Sequence, residues 1–227
     1  MQNREVLGVI CARGGSKGFP GKNLAEICGK PMIWHSIRQA ADATTLTRCL
    51  VSTDSLEIAD VARLYAPWVW FLRPPELATD DAPIECALIH ALEFAEKRWG
   101  VVYDYVVLLP NSAPLRTSED IDACVRILHD SDADSVISVV EIPHPYELMK
   151  GNAFITQLSE YEGVYRRQDC EGLYLSNGVV RVFRREFLMR TLSIWGGNTL
   201  PYVMPQYRSV EIDSEEDLRY AANMLAV

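Results

Sequence analysis

Val6-Leu7-Gly8-Val9-Ile10, followed at once by Cys11-Ala12-Arg13-Gly14-Gly15-Ser16-Lys17-Gly18-Phe19-Pro20-Gly21-Lys22-Asn23, decides the reading of this chain. The first five residues form an apolar run of the kind a buried strand shows. The next thirteen hold four glycines, two lysines and an arginine. Glycine lets a backbone turn sharply and bring its N–H groups close to an anion, and the three cations place charge where phosphate oxygens would lie. A strand that opens into such a loop reads as a triphosphate cradle. It is neither the Walker loop G-x-x-x-x-G-K-[ST] nor the dinucleotide fingerprint G-x-G-x-x-G. The plainer alternative is a solvated basic turn.

Working outward, strand and helix signals alternate. Pro31 opens a helix whose apolar stripe is Ile33, Ile37, Ala40 and Ala41. Cys49–Thr53 reads as a strand, and Asp54 with Glu57 as the start of another helix. Trp68–Leu72 reads as a short strand. Pro83 starts a helix with Ala87, Leu88, Ala91, Leu92 and Ala95 on one face. Tyr105–Leu109 is an apolar central strand. Thr117 and Asp120 form a capping box ahead of Ile121, Val125 and Leu128, and Ser135–Val140 is the next strand. Residues 141–176 lose this periodicity and read as a projecting segment. Asn177–Phe183 returns to strand character. Val210–Asp213 reads as a last strand before a helix capped by Ser214 and Asp217, with Leu218, Ala221, Ala222 and Leu225 inward. The alternation predicts a single α/β domain over 1–227, with a mostly parallel sheet covered by helices on both faces.

Composition limits the function. A net charge of −9 argues against general nucleic-acid binding. Against that acidic background Arg13, Lys17, Lys22 and Lys30 share a stretch whose only acid is Glu26, a pattern suited to a small anionic substrate. No apolar run is long enough to span a bilayer, and no apolar signal region precedes the first strand, so a cytoplasmic location without membrane attachment is expected. The six cysteines include no C-x-x-C pair and the four histidines are scattered, which argues against a zinc site. No Ser/His/Asp or Cys/His set supports a covalent hydrolase.

In a doubly wound sheet, ligands bind beyond the carboxyl ends of the strands. The loop 12–23, Ser52-Thr53-Asp54, Asn111–Arg116 and the stretch after Ile212 are expected to converge there. Glu211 and Asp213, one residue apart on a strand, would point the same way. Such a pair suits Mg²⁺, which takes one or two carboxylates plus substrate phosphates; the alternative is two solvated acids. Arg73, held in Arg73-Pro74-Pro75, could donate to a base or sugar, and Arg166-Arg167-Gln168-Asp169 is suited to a carboxylate partner.

Taken in order, these blocks resemble the N-acylneuraminate cytidylyltransferases, or CMP-sialic acid synthetases. The shared stretches are Ala12–Gly18 with Lys22-Asn23, Val51–Asp54, Arg73–Asp80, Pro114-Leu115-Arg116, Arg166–Asp169, Asn177-Gly178 and Ser209–Asp213. The resemblance implies a Rossmann-like three-layer nucleotide-diphospho-sugar transferase fold. It implies transfer of a cytidylyl group from CTP (or another nucleoside triphosphate) to a 2-keto sugar acid, with pyrophosphate released. On that reading Arg13, Lys17, Lys22 and Asp213 carry the reaction. Ala12, Gly14, Gly15, Ser16, Asn23, Arg73 and Asp80 complete the nucleotide site. Asn111, Arg166, Arg167, Gln168 and Tyr174 face the acceptor, and Glu211 and Asp213 hold Mg²⁺ (or Mn²⁺). A homodimer is implied, with 141–176 as the dimerisation arm. Three departures fall on the sugar or metal side. Pro110 stands where the family's Q-P-T-S-P-L-R has glutamine, Glu-x-Asp replaces Asp-x-Asp, and Cys170-Glu171-Gly172 replaces a Leu-Pro. They imply a shifted acceptor.

Overall fold

Why these residues form a layered sheet is visible in how the first strand is buried. In the computed structural model, which describes residues 4–16, 18–69, 71–142, 149–150, 156–157 and 173–226, Val6, Ile10 and Ala12 face one core cluster. Leu7 and Val9 face another. A strand covered on both faces has no polar side to offer, which is why the run is continuously apolar.

In chain order the elements are β1 (Val6–Cys11), a short ribbon of β2 (Glu26–Ile27) and β3 (Lys30–Pro31), α1 (Met32–Asp42), β4 (Arg48–Ser52), α2 (Leu56–Arg63), α3 (Ile84–Trp99), β5 (Tyr105–Pro110) and α4 (Ser118–His129). Then come β6 (Ser135–Ile142), the pair β7 (Met149–Lys150) and β8 (Thr156–Gln157), β9 (Leu173–Arg184), α5 (Arg185–Thr191), β10 (Thr199–Val203) and α6 (Glu215–Leu225). The main sheet runs β10-β6-β9-β5-β1-β4. β1 pairs in parallel with β4 and β5, and β10 with β6, while β9 lies antiparallel between β5 and β6. Apolar residues of α1, α2 and α4 fill one face, and those of α3 and α5 the other. The three-layer, mostly parallel expectation holds. Among the described residues no helix is long and apolar enough to cross a membrane.

Local expectations held at the caps and failed at particular points. Both capping boxes form, at Thr117/Asp120 and Ser214/Asp217. α2, however, is capped by Ser55, whose hydroxyl accepts from Ile58 N–H at 3.3 Å; Asp54 lies one residue too early and serves the site instead. Among the described residues of Trp68–Leu72 no strand forms; the backbone there meets β4 and its end through Val51 N–H to Trp68 O (3.0 Å) and Arg73 N–H to Thr53 O (2.7 Å). The prolines at 74 and 75 have no N–H with which to extend a ladder. Trp70 lies outside the described residues. Ala41 and Leu225 are exposed: Ala41 sits at the edge of the buried face of α1, and Leu225 is the last residue of α6. Most of 141–176 also lies outside the described residues, so the projecting arm is not described further.

Two buried polar centres tie these layers. Arg116, only 2% exposed, donates to Gln39 Oε1 (3.1 Å), Ser36 Oγ (3.1 Å), Pro110 O (3.2 Å) and Val179 O (2.9 Å). Among the described residues no carboxylate touches its guanidinium, and burial pushes its pKa down to about 10. Asp122 on α4 accepts from the backbone N–H and the hydroxyl of both Thr44 and Thr45, at 2.7–3.0 Å.

Burial opposes ionisation of Asp122, but the four donors outweigh it and hold its carboxyl below the usual value of 3.8. A carboxylate depressed in the folded state contributes stability that is present above its unfolded pKa and is lost as pH falls through the folded one. We therefore expect Asp122→Asn to cost about 1–3 kcal/mol at pH 7. The difference from wild type should shrink as pH is lowered from about 4. Urea unfolding between pH 7 and pH 3 checks both; a difference that does not change with pH would show that the charge is not what the threonines hold.

Candidate active site

The carboxyl ends of β1, β4 and β5 open onto a cleft of about 270 Å³. Its wall brings together Arg13, Ser16, Lys22, Asn23, Arg73, Asn111 and Asp213, all expected from sequence. Cys11, Gly18, Ile84, Pro110 and Ser112 complete it.

The glycine-rich loop is held at both ends. Ala12 is buried and donates its N–H to Ser52 O at 3.1 Å. Gly14 N–H donates to Asp54 Oδ1 at 2.9 Å, and a Cβ at Gly14 would stand 3.1 Å from Ser55 Cβ. Asp54 therefore pins the loop to the end of β4, a role its sequence position as a helix cap concealed. Gly15 is exposed with open space around it. Lys17 lies outside the described residues, as do Arg166, Arg167 and Gln168.

The cations on the wall fall into two kinds. Arg73 is 4% exposed; it donates through Nε to Ser52 Oγ (3.1 Å) and through its terminal nitrogens to Ser52 O (2.6 Å) and Leu77 O (3.4 Å). It holds β4 to the proline loop and shows the cleft only its remaining N–H groups. Arg13 pairs with Asp80 at 3.1 Å and donates to Thr79 O at 3.2 Å. Lys22 Nζ contacts Asp213 Oδ1 at 2.7 Å and Ile212 O at 3.0 Å. Asn23, buried in the short turn that starts at Lys22, donates through Nδ2 to Arg13 O at 2.7 Å.

Residues 210–213 are extended but make no strand. Ile212 N–H donates to Ser112 O at 2.8 Å, and the Ile212 side chain is fully buried in a satellite core with Ile27, Met32, Leu115 and Ala221 of α6. Anchoring the middle residue inward turns its two acidic neighbours outward. Asp213 meets Lys22, and Glu211 accepts from Ser112 Oγ at 3.4 Å. Glu211 also lies across Gly178: a Cβ there would stand 2.5 Å from Glu211 Oε1, and φ at Gly178 is +65°. Burial and then the nearby Asp213 charge raise the Glu211 pKa, with Lys22, Ser112 and Arg181 acting the other way.

Among the described residues no three His, Cys, Asp or Glu side chains form a ready metal cage. Two neighbouring carboxylates, one of them lining a phosphate-type cleft, are nonetheless a donor set that fits a hard divalent cation completed by substrate oxygens.

Tyr174 stands on β9 opposite Glu141, half exposed and away from the cleft wall. Sequence reasoning passed over Arg181. Its guanidinium lies 4.0 Å over the Trp195 ring, it is 9% exposed, and its charge bears on Glu211. An arginine inside the apolar run Val179-Val180-Arg181-Val182-Phe183 was the signal for it.

The comparisons agree with this architecture. A family model described as cytidylyltransferase matches residues 7–218. The chain is 33% identical over 220 residues to post-translational flagellin modification protein B of Campylobacter coli, covering 95% of this chain and 92% of that one. It is 32% identical over 225 residues to CMP-N,N'-diacetyllegionaminic acid synthase of Campylobacter jejuni, covering 98% and 96%. Among solved structures, CMP:2-keto-3-deoxy-manno-octonic acid synthetase complexed with CTP superposes with a TM-score of 0.72 at 17% identity, covering 98% of each chain.

Gly178→Ala tests the carboxylate placement. The added methyl overlaps the Glu211 carboxylate, and the left-handed backbone resists any side chain. Turnover should fall by roughly tenfold or more while circular dichroism stays that of the wild type. Normal turnover would show that Glu211 need not sit where Gly178 lets it.

Proposed function

The chain belongs to the cytidylyltransferase family, and from that premise we propose that it joins CTP to a nonulosonate-type 2-keto sugar acid, releasing pyrophosphate and forming a CMP-sugar. The observation that carries this reading is the meeting, in one cleft, of Arg13, Ser16 and Lys22 with Asp213, which Lys22 contacts at 2.7 Å. The relatives named for legionaminic acid support the acceptor class.

Arg13, Ser16 and Lys22 bind the triphosphate, with Lys17 expected beside them from its place in the loop. The anomeric hydroxyl of the sugar acid attacks the α-phosphorus; the bond to the β-phosphate oxygen breaks and pyrophosphate leaves. Such a transfer needs alignment and charge stabilisation more than covalent help. Mg²⁺ held by Glu211 and Asp213 supplies neutralisation of phosphate charge when bound. Asn23, Arg73 and Asp80 shape the nucleoside end. Pro110 lines the cleft where relatives of the sialic acid type carry a glutamine. A ring that neither donates nor accepts there narrows the acceptor choice to sugars that need no contact at that point. The homodimer implied by the resemblance belongs to the same proposal.

The test is pyrophosphate release with Mg²⁺, each of four nucleoside triphosphates and a panel of sugar acids and sugar 1-phosphates. CTP with a nonulosonate acid should turn over, and removing the divalent ion with EDTA should stop it. Asp213→Asn should lower kcat roughly a hundredfold or more, and Lys22→Ala should raise the KM for CTP more than that for the acceptor. Turnover only with GTP and a sugar 1-phosphate would overturn the substrate assignment.

A further inference from the structure

Asn111 carries a hydrogen-bonding polarity that the fold fixes and does not use. The end of β5 sets it beside the nucleotide loop, where its backbone N–H donates to Cys11 O at 3.3 Å. Its side chain joins a relay: Asn111 Nδ2 donates to Asn23 Oδ1 at 2.9 Å, and Asn23 Nδ2 donates to Arg13 O at 2.7 Å. The oxygen and nitrogen of an amide side chain look alike in shape, so the network must assign them. Here the relay ends on a main-chain carbonyl, which can only accept. Asn23 must turn its NH₂ to Arg13 O and therefore its oxygen to Asn111. Asn111 must then turn its own NH₂ to Asn23. What remains is Asn111 Oδ1, an acceptor by necessity.

That oxygen is buried and has no hydrogen-bond partner among the described residues, in a residue that is 2% exposed and lines the cleft. The described cations of the cleft wall donate elsewhere: Arg13 to Thr79 O, Lys22 to Ile212 O and Asp213, and Arg73 to Ser52 and Leu77. Buried acceptors are ordinarily satisfied, so an orphan in a binding cleft calls for a donor from outside.

We propose that Asn111 Oδ1 accepts a hydrogen bond from a hydroxyl or N–H group of a bound substrate, and so selects substrates that carry a donor at that point. This rests on the nucleotidyl-transfer reading above. The donor belongs either to the nucleoside of CTP or to the sugar acid, because Asn111 touches the nucleotide loop on one side and adjoins Pro110 and Ser112 on the other. An anionic oxygen or an ether at that point would meet a lone pair and be rejected.

The experiment is steady-state kinetics of Asn111→Ala beside wild type, varying CTP and the sugar acid in turn. Loss of one such contact should raise the KM of one substrate about tenfold and leave kcat nearly unchanged. If the nucleoside supplies the donor, 2′-deoxy- or 3′-deoxy-CTP or UTP carries the same penalty on wild type, and Asn111→Ala adds nothing to it. If the sugar supplies it, only the acceptor KM rises. Either result supports the assignment. It is overturned if neither KM moves beyond twofold. It is also overturned if both KM values, kcat and the melting temperature worsen together, which is the mark of a scaffold residue. Should Asn111→Ala fail to fold, Asn111→Ser is read by the same criteria. An inactive wild type would fail the nucleotidyl-transfer reading itself, whereas an active wild type with an unmoved variant fails only this assignment.

Discussion

The buried guanidinium of Arg116 is the constraint on which the rest of the site depends. It satisfies the carbonyls of Pro110 and Val179 from one planar group, and reaches Ser36 and Gln39 on α1 with the same fork. The carbonyls at β5's end and in β9 thus share one donor group. A buried cation with no contacting carboxylate is costly, and its lowered pKa records that cost. In return, Pro110 and Val179 are spaced by a rigid object. Asn111 follows one and Gly178 precedes the other, so the orphan acceptor and the floor under Glu211 inherit their separation from Arg116.

Charges around the cleft are arranged by how easily they can be released. The Lys22–Asp213 pair is close, but the Asp213 side chain is 71% exposed, and the Arg13–Asp80 pair is more than a third exposed on both sides. Exposed pairs of this sort contribute about 0–1 kcal/mol, so a triphosphate recruits both cations at little cost. Arg73 is different: its donors end on buried oxygens, and withdrawing it would strand Ser52. Lys22 and Arg13 are therefore exchangeable partners for phosphate, and Arg73 is part of the wall.

Much of this was legible in the sequence because it is local. The capping boxes at Thr117/Asp120 and Ser214/Asp217 and most of the apolar stripes are encoded within a few residues, and they formed where their spacing indicated. The departures have a common origin in long-range bonding. Asp54 obeys a cap pattern but is taken by Gly14, forty residues away in sequence. Val210–Asp213 alternates like a strand because Ile212 is anchored in a satellite core, not because a ladder forms. The direction of β9 is invisible in its composition, since an apolar run buried on both faces reads alike in either sense. The gathering of Arg13, Lys22, Asn23 and Asn111 followed from placing their loops at strands' carboxyl ends, while Arg73 and Asp213 arrive on irregular segments. Their donor–acceptor polarity did not follow, because it depends on which carbonyl each amide finally meets.

The position of β9 bears on how the chain comes to be made. It is inserted between β5 and β6, yet it is not synthesised until residue 173 of 227. A nascent chain emerging from the ribosome therefore carries two apolar strands whose facing edges stay unpaired until β9 follows them. Unpaired edges invite pairing with another chain, and late, non-local closure slows folding. The halves of this sheet consequently mature as one unit only once β9 has been made, and a chain halted before residue 173 presents open strand edges.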